Sequence, residues 1–165
     1  MFFHPQYTTL STLRQSNFLQ SPIFATMRKS STTVRVQGFH LDRYGHVNNA
    51  RYLEFLEMGR WDFIRDFLDM QLMEQRNWGF FVTNINIDYK TAATLDDFLQ
   101  VVTVVQSIGP LKSTMYQEIY NKENTQLVAT AKVTFVMMNL KSSKVLRVRK
   151  EVKAFLASEP YVEKP

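Results

Sequence analysis

One long helix pattern constrains the fold of this chain more than any other feature. Residues 49 to about 70 contain a single glycine and no proline, and their apolar side chains spread around much of the helical circumference. A helix that is apolar on most sides is usually buried on most sides. The pattern predicts a strongly curved sheet wrapped around one long central helix. Gly59, which costs a helix about 1 kcal/mol against alanine, would mark a close approach to that sheet.

Strand patterns flank this helix on both sides, one before it and four after it. The predicted strands are 32–39, 81–89, 98–108, 113–120 and 126–139, and a short helix is predicted near 149–156. In the second strand, Phe81, Ile85, Ile87 and Tyr89 alternate with polar residues, which is the period-two pattern of a strand. Short turns between the last four strands favour an antiparallel meander, and the helix must pack on one of its faces. The predicted fold class is therefore α+β, with a five-stranded antiparallel sheet.

Composition limits the class of protein. A chain of 165 residues that is 45% apolar fits one domain with one core, and it contains no apolar run long enough to span a membrane. The lack of cysteine excludes disulfides, thiolate metal sites and a cysteine nucleophile, and no histidine pair has metal-ligand spacing. Residues 1–41 hold four of the 20 basic residues and none of the 15 acidic ones. The remainder is nearly neutral, so nucleic-acid binding is not predicted.

The first 31 residues differ from the rest, since they are rich in Ser, Thr, Gln and Phe and contain no acidic residue. Three interpretations stay open: a flexible or docked extension, a start assigned too early with Met27 as the true beginning, and an organelle transit peptide. We expect an N-terminal extension over 1–31, a single domain over 32–157 and a tail over 158–165. The cysteine-free composition suits the cytoplasm, with organelle import through residues 1–31 as the alternative.

The loop before the central helix carries the candidate chemistry. Asn48 is a suitable N-cap, and the amides near Asn49 would form, with the helix dipole, a site for developing negative charge. Asp42 lies six residues before Asn48, so a tight loop would hold its carboxylate on the other side of a carbonyl bound at the helix start. Acyl transfer needs such a nucleophile or base together with an oxyanion hole. The same residues also suit a turn former and simple caps, and His46 suits a solvated loop position.

A run of about 19 residues resembles the signature of hotdog-fold acyl-CoA thioesterases of the 4-hydroxybenzoyl-CoA thioesterase type. It reads Asp42-x-x-Gly45-His46-Val47-Asn48-Asn49-x-x-Tyr52-Leu53-x-x-x-Glu57-x-x-Arg60. Its His-Val-Asn-Asn-x-x-Tyr core is also similar to plant acyl-ACP thioesterases. The plant motif has an asparagine where this chain has Tyr44, which disfavours a histidine–asparagine pair and favours Asp42 as the catalytic group.

The resemblance implies the hotdog fold over roughly residues 32–157 and a set of site residues. Asp42 would be the catalytic nucleophile or general base, the Asn49 backbone amide the oxyanion donor, and His46 a further catalytic candidate. Gly45, Asn48 and Tyr52 would contact the substrate. Other hotdog thioesterases use a helix glutamate instead. Glu57 is the residue that would have that role here, but its position favours a structural role or a partnership with Arg60.

The implied function is hydrolysis of an acyl-CoA or acyl-ACP thioester to free acid and thiol, without metal or cofactor. The implied assembly is a homodimer or homotetramer with active sites at the subunit seam, and the free sheet edge of a single chain supports association. A non-hydrolytic acyl-CoA-binding protein is the alternative; a hotdog dehydratase is disfavoured because Val-Asn-Asn follows His46. The candidates for CoA phosphate contacts are Lys90, Lys112, Arg147 and Lys150, and those for acyl-pocket depth are Trp61, Trp78, Phe80 and Phe81.

Overall fold

A computed structural model describes residues 28–148 as one antiparallel sheet with two helices. The elements are β1 Lys29–Arg35, α1 Asn49–Phe67, α2 Met70–Arg76, β2 Trp78–Tyr89, β3 Phe98–Ile108, β4 Lys112–Asn121, β5 Leu127–Asn139 and β6 Lys144–Val145. The predicted helix near 149–156 and the predicted tail lie outside the described residues, as do residues 1–27 of the predicted extension.

The five long strands lie in the order β1-β3-β4-β5-β2, and the two-residue β6 pairs with β5. All strand pairs are antiparallel. The sheet is curled, and α1 lies against its inner face, where the helix contacts β1 and β3. The main core forms between the helix and this face. The predicted hotdog arrangement, a curved sheet around one central helix, is therefore confirmed.

Gly59 lies where α1 comes closest to the sheet, as predicted. A β-carbon at this position would be 2.7 Å from Val101 Cγ1 and 2.9 Å from Thr103 Oγ1, both on the inner face of β3. These distances are shorter than ordinary van der Waals contact. The glycine thus allows the helix axis to lie nearer the sheet than any larger residue would.

The predicted ends of the central helix and of the first strand were wrong, because side chains near them bond to the backbone. The predicted single helix to about residue 70 ends at Phe67, and α2 follows because the Asp69 side chain accepts a hydrogen bond from the Leu72 amide and caps a new helix. The first strand was predicted at 32–39 but ends at Arg35. A 3-10 turn, Gly38–His40, follows it, where the Gln37 amide donates to His40 Nδ1 at 2.9 Å.

The alternation predicted in the second strand is interrupted by a bulge. The register of β2 against β5 shifts between Val82 and Asn84, which inserts one residue into the strand. Phe81 therefore lies on the opposite face from Ile85, and the prediction that the two share a face was wrong. The strand also begins three residues earlier than predicted, at Trp78.

The central helix is buried on one side only, which corrects the expectation of burial on most sides. Tyr52, Phe55, Leu56 and Phe63 are buried, whereas three apolar side chains remain exposed. These are Leu53 (38%), Met58 (45%) and Trp61 (46%). One chain's sheet covers only part of the helix circumference. Within residues 28–148, neither helix combines the length and the apolar composition that crossing a bilayer requires.

Candidate active site

The Asp42 carboxylate is held by its own turn. Its Oδ1 accepts hydrogen bonds from the Tyr44 amide at 2.8 Å and the His46 amide at 3.3 Å, and its backbone amide donates to the His46 carbonyl at 2.8 Å. Gly45 has φ +78°, a left-handed conformation that glycine adopts without strain. Within residues 28–148, Oδ2 of Asp42 has no hydrogen-bond partner. The turn therefore uses one carboxylate oxygen and leaves the other available.

The chain that leads into α1 is fixed by a series of backbone contacts. The Val47 amide donates to the Ala93 carbonyl, and the Asn48 amide donates to the His40 carbonyl, both at 2.9 Å. The Asn48 side chain accepts from the Ala50 amide at 3.0 Å. The predicted N-cap at Asn48 is thus confirmed, and its side-chain oxygen is already used by the helix.

Asn49 is the first residue of α1, and its backbone amide differs from those around it. Among the residues that the structure describes, the Asn49 N–H makes no hydrogen bond, whereas the amides of Asn48, Ala50 and Arg51 all have acceptors. The first amides of a helix lie at the positive end of its dipole. An unpaired N–H at this place is a donor for an anionic or strongly polarised oxygen.

Asp42 and Asn49 open onto the same cavity. Its volume is about 220 Å³, and it is lined by Asp42, His46, Val47, Asn49, Tyr52, Tyr89, Lys90, Thr91 and Ala92. The residue with the carboxylate and the residue with the free helix amide thus line a common space, and acyl transfer requires groups of these two kinds. Within residues 28–148, His, Asp and Glu side chains form no group of three or more that would hold a metal ion.

Four of the six predicted site residues line this cavity, and two do not. Asp42, His46, Asn49 and Tyr52 are among its lining residues, and the His46 side chain is exposed. Gly45 lies in the turn behind Asp42, where a β-carbon would meet nothing within 4 Å, so its backbone conformation is what the turn requires. Asn48 acts through its cap, one residue before the free amide.

Two tyrosines form the wall opposite the loop. The Tyr52 hydroxyl of α1 accepts a hydrogen bond from the Ala93 amide at 3.2 Å, and the Tyr89 hydroxyl of β2 donates to the Asn49 carbonyl at 3.0 Å. Their ring centroids are 5.4 Å apart. Burial raises the pKa of Tyr52, and the nearby Tyr89 and carboxylates add to that rise, so its hydroxyl stays protonated at neutral pH.

Sequence reasoning did not identify Tyr89, Thr91 and Ala92 as lining residues. One signal for Tyr89 was present: it ends the apolar face of a strand after Ile85 and Ile87, and a tyrosine in such a position usually finds a partner for its hydroxyl. Of the four basic candidates for CoA phosphates, Lys90 lines the cavity. Lys112 and Arg147 are exposed away from it, and Lys150 lies outside the described residues.

A second, mainly apolar cavity of about 80 Å³ lies farther along α1. It is lined by Glu57, Arg60, Trp61, Ile64, Phe80, Val82, Met115 and Phe135. Trp61 and Phe80, two of the four candidates for pocket depth, are among its lining residues. Trp78 packs against the core instead, and Phe81 is on the other face of β2.

Glu57 and Arg60 are not hydrogen-bonded to each other; a structural role or a partnership with Arg60 was predicted for Glu57. Glu57 accepts from Trp61 Nε1 at 3.4 Å, while Arg60 donates to Gln117 Oε1 at 3.0 Å. Burial lowers the pKa of Arg60, and the Glu57 charge acts against that change. The two residues therefore interact only electrostatically, and Glu57 lies about two turns away from the Asp42 cavity.

Comparison with known proteins decides the family. The family model described as the thioesterase-like superfamily matches residues 36–156. The chain belongs to the thioesterase-like superfamily. This membership and the curled sheet confirm the prediction of a hotdog-fold thioester hydrolase.

Relatives in this superfamily cover most of the chain. It is 42% identical over 122 residues to the long-chain acyl-CoA thioesterase FadM of Escherichia coli K12, covering 74% of this chain and 92% of that protein. It is 35% identical over 126 residues to the acyl-CoA thioesterase YbgC of Haemophilus influenzae, covering 75% and 91%. The crystal structure of YbaW, a probable thioesterase from Escherichia coli, has a TM-score of 0.72 and 41% identity, covering 76% of this chain and 95% of that one.

Proposed function

We propose that this protein hydrolyses long-chain acyl-CoA to free acid and CoA, with Asp42 as the catalytic carboxylate and the Asn49 amide as the oxyanion donor. The observation that carries the proposal is that Asp42, whose Oδ2 has no partner among the described residues, and Asn49, whose N–H has none there either, line one cavity. A thioester carbonyl in that cavity would direct its oxygen to the helix start and its carbon toward the carboxylate.

Two routes fit this geometry. Asp42 is either a nucleophile that forms a mixed anhydride, which water then splits, or a general base that activates water directly. In both, negative charge grows on the thioester oxygen, where the Asn49 amide and the helix dipole stabilise it. The CoA thiolate leaves readily, so no strong acid is needed. His46, exposed at the cavity edge, is a secondary candidate for proton transfer.

A stripe of residues along α1 supports the proposal that the substrate has a long acyl chain. Asn49, Leu53, Glu57, Trp61 and Ile64 follow one another at helical spacing on one side of the helix, and this side extends from the Asp42 cavity to the second, apolar cavity. From Asn49 to Trp61 the helix rises by roughly 18 Å. An extended acyl chain bound at the helix start would lie along this stripe. The name of the FadM relative, a long-chain acyl-CoA thioesterase, agrees with that length.

The thiol carrier is proposed to be CoA rather than a carrier protein. Lys90 lines the Asp42 cavity, and its ammonium group forms a long, exposed ion pair of 3.7 Å with the Asp88 carboxylate. A surface pair of this kind contributes little, so a CoA phosphate would compete for the ammonium group. The named relatives are acyl-CoA thioesterases. Turnover of acyl-CoA and of acyl carrier protein with the same acyl group separates the two carriers directly.

A homodimer or homotetramer is proposed as the active assembly. β2 is a 12-residue edge strand, and its exposed Val82 lines one cavity with the exposed Trp61 of α1. An unpaired edge beside exposed apolar side chains favours association with a second copy. Such a copy would cover the helix stripe and close the acyl-chain site.

A cytoplasmic location, with import through residues 1–31 as the alternative, stays a prediction; a fluorescent fusion of residues 1–31 tests it.

Thiol release from acyl-CoAs of increasing chain length, measured with wild type and Asp42→Asn, tests the proposal. Asparagine keeps the side-chain oxygen that accepts from Tyr44 and His46 but removes the charge. We expect kcat to fall about a hundredfold or more, with KM little changed. Asp66→Asn, an exposed carboxylate on α1, is the matched control and should behave as wild type.

Two results would overturn parts of this proposal. Near wild-type turnover by Asp42→Asn, together with an inactive Glu57→Gln, would assign the catalysis to the helix glutamate. Tight binding of acyl-CoA by a wild type that releases no thiol from any acyl-CoA would favour the non-hydrolytic binding protein.

A further inference from the structure

Tyr89 contacts the peptide group that follows the free Asn49 amide. Its hydroxyl donates to the Asn49 carbonyl at 3.0 Å, and the N–H of that same peptide, which belongs to Ala50, donates to Asn48 Oδ1 at 3.0 Å. The Asn49–Ala50 peptide is therefore held at both ends, by β2 on one side and by the cap on the other. A carbonyl oxygen has two lone pairs, so this bond does not exclude the helical one.

This double attachment bears on the direction of the Asn49 N–H. The preceding peptide, Asn48–Asn49, carries the free N–H and is held through its carbonyl, which accepts from the Arg51 amide at 2.9 Å. With the peptide groups on both sides of Asn49 restrained, rotation about its backbone bonds is limited. A preorganised donor stabilises a developing oxyanion better than a mobile one, because no reorganisation is needed as charge appears.

We infer that Tyr89 is a positioning residue, which holds the Asn49 amide in the direction that the thioester oxyanion requires. The inference rests on the proposed function and extends it to a residue 40 positions away from the helix start. Its hydroxyl acts through the Asn49 backbone and not on the substrate. The ring serves a separate purpose, since it packs 5.4 Å from the Tyr52 ring, and phenylalanine would keep that contact.

Tyr89→Phe isolates the hydroxyl. Three quantities are measured with one acyl group: kcat and KM for the acyl-CoA, the Kd of an S-alkyl-CoA thioether that has no carbonyl, and the Kd of a trifluoromethyl ketone analogue whose carbonyl becomes tetrahedral. We expect kcat to fall about tenfold, less than the hundredfold or more for loss of an entire oxyanion donor. The ketone analogue should bind more weakly by the same factor, while KM and thioether binding change less than twofold.

Tyr116→Phe is the matched control, since it removes a half-buried tyrosine hydroxyl from β4, a strand that does not border the cavity. It should leave all three quantities unchanged. Unchanged kcat in Tyr89→Phe would overturn the inference. Equal weakening of thioether and ketone binding would also overturn it, because Tyr89 would then contact the substrate or support the fold.

A failure of the proposed function gives a different result. If wild type hydrolyses no thioester, the function fails, and the positioning role is then decided by NMR. The amide proton shifts of Asn49 and Ala50 should change in Tyr89→Phe and stay as in wild type in Tyr116→Phe. Unchanged shifts in Tyr89→Phe would overturn the inference without any assay of activity.

Discussion

The side-chain nitrogen of Gln117, a fully buried residue of β4, lies 2.8 Å from the carbonyl oxygen of Leu56 in the middle of α1. The same nitrogen donates to Thr103 Oγ1 at 2.8 Å, and Gln117 Oε1 accepts from Arg60. This polar contact inside an otherwise apolar core fixes the height of the helix above the sheet. It depends on the close approach that Gly59 permits.

Gly59→Ala should therefore destabilise the fold. The new β-carbon would lie 3.1 Å from Gln117 Nε2 and closer still to Val101, so the helix must shift and strain the Gln117 contacts. We expect a loss of about 1–3 kcal/mol in the free energy of unfolding, the usual cost of overpacking, despite alanine's better helix propensity. Urea denaturation measures it. Gly38→Ala, where a β-carbon meets nothing within 4 Å, should change stability little; equal losses in both variants would refute the packing argument.

The buried His40 should make the fold sensitive to acid. Its Nδ1 accepts from the Gln37 amide, and burial, followed by the nearby Arg51, lowers the pKa of His40 below its reference of 6.5 while Glu54 acts in the opposite direction. The unfolded chain then binds this proton more readily than the folded one. The stabilisation is complete above about pH 6.5 and is lost as the pH falls through the folded-state pKa.

A non-titrating acceptor at this position should remove that dependence. In His40→Asn, the side-chain oxygen replaces Nδ1 as acceptor, so unfolding free energy should fall less between pH 7.5 and pH 5 than in wild type. Denaturant titrations at the two pH values measure it. His46→Asn, which changes an exposed histidine, should keep the wild-type dependence. A His40→Asn protein as acid-sensitive as wild type would assign the effect to other groups.

A charge on the helix stripe should discriminate between acyl chain lengths. Leu53 lies one turn beyond Asn49 on the stripe and is 38% exposed, so Leu53→Asp should fold. Contact of a carboxylate with a long apolar chain is unfavourable, and kcat/KM for long-chain acyl-CoA should fall at least tenfold while short-chain substrates are affected little. Met58→Asp, on the solvent side of α1, is the control. A uniform loss across all chain lengths in Leu53→Asp would argue against the stripe as the acyl site.

A charge on the free edge should weaken the assembly. Val82 in β2 is 44% exposed and lies beside the unpaired strand edge, so Val82→Asp in two facing copies would bring like charges together. Light scattering at micromolar concentration should show a smaller species than wild type. Val145→Asp on β6 is similarly exposed but remote from that edge, and should retain the wild-type mass. A wild type that is monomeric and active would refute the shared-seam model.

Much of the fold was predictable because its strongest signals are local. The apolar circumference of α1 and the turns between β3, β4 and β5 indicated a curved sheet around one helix, and the Asn48 cap marked the helix start. Two features escaped prediction for physical reasons. The β2 bulge depends on pairing with β5. The end of α1 at Phe67 depends on the Asp69 side chain, which caps the next helix. Neither feature changes the spacing of apolar residues in the sequence, from which the elements were predicted.

The candidate site likewise contains residues that the sequence indicated and residues that it did not. Asp42, His46 and Asn49 are near one another in sequence, inside the motif that resembles the hotdog-fold thioesterases, and that resemblance indicated them. Tyr89 approaches Asn49 across 40 residues through the topology of the sheet, and that contact becomes visible only when β2 is placed beside α1. The exposed side of α1 was also missed, because a single sequence does not state how much of a helix one copy of the sheet encloses.

The hydrogen bonds of the Asp42 turn restrict the number of residues in the loop before α1. Loops on protein surfaces usually tolerate inserted residues. Here the segment from Asp42 to Asn48 is tied at both ends, through the Asp42–His46 backbone bond and the Asn48–His40 bond, and its side-chain contacts span two and four residues. One added residue would rotate the carboxylate away from the helix start while leaving the core intact. Insertions for tags or labels therefore belong in the turn between β5 and β6, because the proposed reaction depends on the length of the loop before α1.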